Sequence, residues 1–574
     1  MVRKCLAKLQ KVNMKKCHIP KLFDKPNPFE RMDGWLILLF SKALKPQNIA
    51  GCFLFFSLLA FSGVSFAQSN VDAPKNPEIE NYSPILQFLA SPELEGRETG
   101  TPGSYIAAYY IAAMMQGMGL KPFHGNDKVQ STKLSDYFQT FCLLKFSTTS
   151  GTVVVKSGGK KSSKHLQLKL YKDFTVKNAF QNVQLETTPV FVGYGINASG
   201  LSYNDYANTD VKGKLVIVFD GYPGQHDTLS AAWKKFKSSA ENDVYDFDHK
   251  CREALQQGAA AMMVIDENFL KSTNEKSASA KADNPDDTHY RDADYFLPSN
   301  KPNFSIPCFQ FTENGSRQLS EAFDIDFKDI EQKIADQVYT KVNASKVQIS
   351  LNLQSVVDTL IVYNVIGTWP GQDTTKTVIL GAHYDHLGKR GSDIFYGSDD
   401  NASGVAGMLA LAATWTAYKT IPPFNITFAS WAAEEKGLIG SEYFTSSLAA
   451  PENVKLYINM DMISRSVVED TAQRQLSIGT RTADEHIREI ARKSNATLNR
   501  PFELDLWDVT GHSGSDYASF TAKNIPIMTY NTGLHNDYHT PRDIPANADL
   551  IKMGDVLKVV NACLWEFVGN AIMR

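Results

Sequence analysis

Residues 377–404 read TVILGAHYDHLGKRGSDIFYGSDDNASG. The first four, Thr377-Val378-Ile379-Leu380, form a short apolar run rich in β-branched residues, which marks a buried strand. His383-Tyr384-Asp385 follows its end. Gly397-Ser398-Asp399-Asp400-Asn401-Ala402-Ser403-Gly404 then opens a helix of small residues through Val405, Met408, Leu411 and Ala412. Strand, polar loop and helix in that order make an α/β unit. Two more apolar runs repeat the arrangement: 424–428 (FNITF) precedes Glu434-Glu435, and 456–460 (LYINM) precedes Asp461. His539 comes after a further strand pattern at 525–530. The expected fold class is therefore α/β, with one mixed central sheet and helices on both faces.

Acids at strand ends in such a chain collect in the crevice where open α/β sheets bind ligands. Carboxylates gathered that closely repel one another unless something cationic holds them. Two histidines among four or more carboxylates suit a divalent metal, and the excess of ligands over four suggests two. Each signal alone has an ordinary explanation. Asp-Asn-Ala-Ser before a helix is good N-cap chemistry, adjacent glutamates at a helix start are favoured by the helix dipole, and a single loop histidine is usually only that. Their joint order at strand ends is far more specific.

The bulk numbers frame this reading. At 574 residues the chain predicts two or three domains, and 43% hydrophobic with 21% charged residues is ordinary for a globular protein. The net charge of -3 lacks the basic surplus of a nucleic-acid binder. Residues 49–66 are apolar, with Lys42 and Lys45 before them and Ser65 and Ala67 at the minus-three and minus-one positions. This is the pattern of a secretory signal peptide cleaved after Ala67, with an uncleaved anchor as the alternative. The mature chain is expected in the periplasm or outside the cell, without stable membrane insertion. Cys142, Cys251, Cys308 and Cys563 then remain, and Cys251 with Cys308 is the expected pair if one forms.

Between about 185 and 345 the texture changes. Strand-like pieces at 188–195, 213–220 and 259–266 surround one helix at 250–257, and 271–303 reads as a polar exposed loop. The α/β pattern resumes near Thr359, so this module is an insertion. The expected organisation is 1–67 as leader, 68–184 with 346–574 as one discontinuous domain, and 185–345 as the inserted domain.

The series H-x-D, D-N-A-S-G, A-E-E-x-G-L-x-G-S, N-x-D-M and D-Y-H-T-P-x-D resembles the secreted di-zinc aminopeptidases, related in fold to glutamate carboxypeptidase and the transferrin receptor. Leu94-Glu95-Gly96-Arg97 through Gly103 is similar to that family's N-terminal signature. Phe191-Val192-Gly193-Tyr194-Gly195-Ile196, Tyr203-Asn204-Asp205-Tyr206 and Val211-Lys212-Gly213-Lys214 resemble its mainly-β protease-associated domain. The resemblance implies two zinc ions, replaceable by cobalt or manganese. His383 and Asp461 would bind one, Glu435 and His539 the other, and Asp400 would bridge them. Asp385 would hold His383, Glu434 would be the general base, and Tyr538 would donate a hydrogen bond to the tetrahedral oxyanion. Tyr517 stands where several relatives have histidine after Ser-Asp. The implied activity is hydrolysis of peptides from an unblocked N-terminus. Alternatives within the same fold are a carboxypeptidase or dipeptidase on acidic or modified peptides, a glutaminyl cyclase, and a non-catalytic binding protein. The oligomeric state stays open.

Overall fold

The computed structural model describes residues 73–124, 133–159, 162–178, 180–207, 209–237, 246–270, 293–301, 306–336, 347–418, 421–509 and 514–570. The 1–67 leader lies outside these residues, as does most of the polar 271–303 segment.

Four parallel strands form the centre of a twelve-stranded mixed sheet, in the spatial order Phe424–Trp431, Asp373–His383, Val454–Met460, Ile527–Asn531. Their neighbours on either flank, Val347–Trp369 and Gln475–Thr480, run antiparallel to them. Successive side chains of a strand leave on opposite faces, and both faces here are covered. Val378 and Leu380 enter one apolar core while Ile379 enters another. The first core is shared with the helices Ile79–Leu89, Pro102–Gly117, Gly404–Ala417 and Leu550–Asn570. The second is shared with Ile439–Ser447 and Tyr517–Thr521. Burial on two sides explains why these strands are predominantly apolar on both faces near their centres. Gly404–Ala417 is buried continuously from Gly404 to Ala412, as an all-apolar helix must be. Its small residues let it pack close: a Cβ on Gly407 would sit 2.7 Å from Leu557.

The chain enters the parallel centre at Asp373–His383, crosses to Phe424–Trp431 on one side, then returns past its start to Val454–Met460 on the other. The carboxyl end of Asp373–His383 is therefore a topological switch point, where a crevice opens between diverging connections.

A second, five-stranded sheet has the order Phe174–Lys177, Cys308–Phe311, Ala261–Ile265, Leu215–Phe219, Pro189–Phe191. It starts at Phe174, ahead of the change in composition near 185. Leu215–Phe219 and Ala261–Ile265 are wholly buried. Phe247–Gln256 matches the expected helix, and Glu313–Phe323 and Phe327–Ala335 add two more. Their N-caps are plain in retrospect. Thr312 Oγ1 accepts from Gly315 N, and the Asp326 carboxylate accepts from Lys328 N and Asp329 N. Cys251 on the first helix and Cys308 on its neighbouring strand form a disulfide, with Cα atoms 6.6 Å apart.

A ribbon of two long antiparallel strands, Phe138–Gly159 and Val347–Trp369, serves both sheets. Phe141, Leu143, Val362 and Val365 join the main core, whereas Val153, Val155, Ile349 and Leu351 join that of the second sheet. Part of the segment read as an exposed loop is a strand: Asp294–Phe296 pairs with Phe138–Gly159. Its Tyr295 ring lies 5.3 Å from Lys436 Nζ. Three residues with no local apolar period carry no strand signal. The ribbon edge supplies their partners.

Candidate metal centre

Every ligand candidate lies just beyond a strand of the parallel centre or in the connection that follows one. His383 ends its strand, and Glu434 and Glu435 follow Trp431. Asp461 follows Met460, and His539 lies in the connection after Asn531. The two glutamates occupy a tight turn rather than a helix start. The helix begins at Ile439, and Glu434 O accepts from Gly437 N and Leu438 N. Ala433, Met462 and His539 all have positive φ (58°, 60° and 54°). Left-handed backbone at non-glycine residues is strained, and such strain concentrates at functional sites where surrounding structure enforces it.

Asp400 is the pivot of the cluster. Its Oδ1 lies 3.3 Å from His383 Nε2, and its Oδ2 lies 3.1 Å from His539 Nε2. Asp461 Oδ1 is 3.4 Å from His383 Nε2 on the first side. On the second side, Glu435 Oε2 is 3.4 Å from His539 Nε2. Glu434 Oε2 stands farther from His383 Nε2, at 3.9 Å. The Asn401-Ala402-Ser403 motif fastens the Asp400 loop to the next strand. Asn401 Nδ2 donates to Met460 O while its Oδ1 accepts from Gly404 N, and Ser403 Oγ accepts from Ile463 N. Asp400 and Asp461 are thus set against each other by hydrogen bonds as well as by strand register.

Asp385 takes a different role from the one expected of its carboxylate. His383 Nδ1 meets the Asp385 backbone carbonyl at 3.1 Å. The side chain instead accepts from Thr99 Oγ1 at 2.7 Å and from Glu434 N at 3.1 Å. With its carboxylate occupied, Asp385 orients the imidazole through its main chain and fixes the start of the glutamate turn. Asp399 also points away from the cluster, its Oδ1 accepting from Ser464 N and Oγ, both at 2.7 Å. Tyr538 is half-buried, and its ring stacks on His539 with centroids 3.8 Å apart.

Several supporting residues lie outside the set of site candidates. Arg97, 1% exposed, donates to the carbonyls of Tyr384, Leu89, Tyr396 and Gly397. It ties the His383 strand end to the approach to Asp400. Ser515 Oγ donates to Asp461 Oδ2 at 2.7 Å, leaving Oδ1 on the His383 side. Asp543 accepts from the backbone N–H groups of Asp399 and Asp400. His386 Nδ1 lies 2.7 Å from Glu435 Oε1. Of these, Asp543 was within reach, since it closes the D-Y-H-T-P-x-D motif.

Electrostatics follow from burial and crowding. Burial, reinforced by Asp516, Glu435 and Asp461 and opposed by His383, raises Glu434 well above the usual carboxylate range. Burial and the Asp400 charge also push Glu435 up, but His386 and His539 more than reverse this and hold it at about 2. For His539, burial favours the neutral ring, yet Asp400 and Glu435 raise it to about 9. Among the described residues, no Lys or Arg is paired with Asp400, Glu434, Glu435 or Asp461. Asp461 Oδ1 is buried without a hydrogen-bond partner. Buried carboxylate oxygens that converge on imidazole nitrogens, without a cation of their own, are what divalent zinc, cobalt or manganese would satisfy. The donor set fits divalent metal.

Residues 364–564 match peptidase family M28. Probable leucine aminopeptidase 2 of Arthroderma benhamiae is 30% identical over 213 residues, 36% of this chain and 40% of the relative. Leupeptin-inactivating enzyme 1 of Streptomyces exfoliatus is 31% identical over 172 residues, 29% of this chain and 34% of that protein. The chain thus spans well under two thirds of the length of these curated relatives. Among solved structures, the aminopeptidase from Aneurinibacillus sp. strain AM-1 is similar in fold, with a TM-score of 0.54 at 19% identity, covering 86% of this chain and 94% of that one. A zinc aminopeptidase from Bacillus subtilis has a TM-score of 0.50 at 16% identity, covering 86% and 95%. The stretch from 364 to 564, which carries all the ligand candidates, is the part of the chain that is similar to peptidase family M28.

Proposed function

We propose that this chain is an exported two-zinc metallopeptidase that removes residues from the unblocked N-terminus of peptides. The observation carrying the proposal is the division of Asp400, one oxygen toward His383 and the other toward His539. In this reading His383 and Asp461 would hold one ion, Glu435 and His539 the other, and Asp400 would serve both. Zinc bound there supplies Lewis acidity toward a carbonyl and lowers the pKa of bound water.

The remaining steps belong to the protein. Glu434, set back from the ligands and raised by burial, takes a proton from the attacking water and returns it to the leaving amine. The Asp385 carboxylate, through Glu434 N, keeps that side chain at the mouth of the cluster. Tyr538 beside His539 donates a hydrogen bond to the developing oxyanion. A pocket of about 330 Å³ opens beside Asp461, walled by Trp507, Tyr517 and Leu534, with Ser477 and Asp505 among its polar groups. Its volume suits one substrate side chain held next to the metals. The five-stranded module is, in this reading, the inserted protease-associated domain, and the leader is removed after Ala67.

The test compares aminoacyl substrates with free and acetylated amino groups, with and without chelator, alongside the zinc content of the purified chain. Cleavage of the free form alone, abolished by chelation and restored by zinc, is expected. Equal cleavage of both forms sinks the aminopeptidase reading, and indifference to chelation sinks the metal reading.

A further inference from the structure

The Glu435 carboxylate is shared between two imidazoles. Oε2 faces His539 Nε2 at 3.4 Å, while Oε1 is 2.7 Å from His386 Nδ1. His386 is fully buried and was not among the ligand candidates. Its ring stands 5.7 Å from that of His539, at 63° between planes. The space it fills depends on Gly397, which adopts φ of +56°. A Cβ there would fall 2.4 Å from His386 Cγ and 2.2 Å from Asp400 O.

An ionised carboxylate only accepts hydrogen bonds, so the short contact places a proton on His386 Nδ1. Nε2, buried, has no hydrogen-bond partner among the described residues. The same Nδ1 is 3.6 Å from Asp400 Oδ2, too far for a second bond of comparable strength. His386 thus spends its one directed interaction on the Glu435 oxygen that faces away from His539.

We propose that His386 is a positioning residue for the second metal: by holding Glu435 Oε1 it presents Oε2 alone beside His539 Nε2 and Asp400 Oδ2. The assignment rests on the two-zinc reading. Outer groups that hydrogen-bond a ligating side chain typically contribute 10–100-fold to metal affinity. His386, Asp400 and Glu435 also lie close enough together to ligate an ion as a trio. Direct ligation by His386 Nδ1 would require its bond to Glu435 to break; direct ligation by either ring nitrogen is the competing outcome of the test.

The experiment uses the full mature chain and its His386→Ala, His386→Asn and His386→Gln variants. Zinc affinity is measured by competition with a chromophoric chelator, and the cobalt-loaded proteins are examined by X-ray absorption. Thermal unfolding of the metal-free forms shows whether each variant is folded. Wild type should take up two zinc ions. His386→Ala should weaken one of them roughly 10–100-fold and leave the other within about twofold. His386→Asn, whose amide can donate near the position of Nδ1, should recover most of the loss, with the imidazole count per cobalt unchanged. Unaltered zinc binding in His386→Ala overturns the proposal. So does an Asn variant as weak as Ala that has lost one imidazole from the metal shell, since His386 would then be a ligand. A wild-type chain that takes up only one zinc overturns the two-metal reading itself, and this assignment with it.

Discussion

Both sheets of this molecule end parallel strands in acidic residues, and they treat those acids in opposite ways. In the five-stranded module, Asp220 follows Leu215–Phe219 and caps its own turn by accepting from Gly221 N. Asp266 follows Ala261–Ile265 and accepts from Phe269 N. Asp205 accepts from Tyr194 N, Ile196 N and Tyr203 Oη. The module also carries its own cation. Lys250 is fully buried, donates to the carbonyls of Phe219 and Gly221, and feels the charges of Asp220, Asp205 and Asp246. In the main sheet the buried Arg97 spends its donors on carbonyls, and the clustered carboxylates face histidines and one another. A strand-end acid therefore says little by itself. What separates a structural site from a metal-binding one is whether the fold supplies the compensating charge.

The largest effect that would test this contrast is on catalysis. Glu434→Gln should keep its zinc while turnover falls by about 10²–10⁴, the usual worth of a positioned general base. Retained turnover would mean that the base lies elsewhere in the cluster.

Next comes Lys250→Met, which removes the internal cation of the second module. Two carbonyls lose their donor, so a loss of roughly 3 kcal/mol is expected in denaturant unfolding, with zinc content unchanged. A fall in zinc content would show that the two regions are not independent in this respect.

The pH dependence of the metal-free protein should carry opposite signs from the two regions. Burial lowers Lys250 to about 8, against the pull of its acidic neighbours. Between that value and the unfolded value near 10.5 the unfolded chain binds the extra proton, so this residue makes stability rise with pH. His539 is raised to about 9 by Asp400 and Glu435 against the effect of burial. Its contribution is complete below about pH 6.5 and is lost as pH rises through about 9. Comparing unfolding curves of wild type, Lys250→Met and His539→Gln across this range isolates the two slopes. A slope of the same sign at both sites would break the contrast.

The smallest expected effect comes from Thr99→Val. Asp385 keeps its bond from Glu434 N but loses the one from Thr99. A loss of about 1 kcal/mol in transition-state stabilisation corresponds to roughly fivefold in kcat/KM, with zinc affinity little changed.

Much of the site is legible in sequence because His383, the Glu434-Glu435 pair and Asp461 each come at or just after the end of an apolar run. A buried parallel strand announces itself locally, and the residue at its end inherits its position. The supporting shell is not legible for the converse reason. His386 is an ordinary histidine until Glu435, 49 positions later, is brought to 2.7 Å. Arg97 sits in a glycine-rich turn whose local sequence names no partner, and it is buried under segments nearly 300 residues away. Asp385 misleads more subtly, since spacing two residues after His383 suggests a side-chain contact. Thr99 and the Glu434 amide occupy that carboxylate, and the carbonyl meets the imidazole instead.

By itself, the sequence determined the α/β class with one mixed sheet and the donors placed at its strand ends. These depend on hydrophobic periodicity and on chemistry at strand ends, both local properties. Only the tertiary structure decided which oxygen of Asp400, Glu435 and Asp461 faces which imidazole, and that no lysine or arginine pairs with them among the described residues. Those outcomes depend on strand order at the switch point and on hydrogen bonds between distant segments.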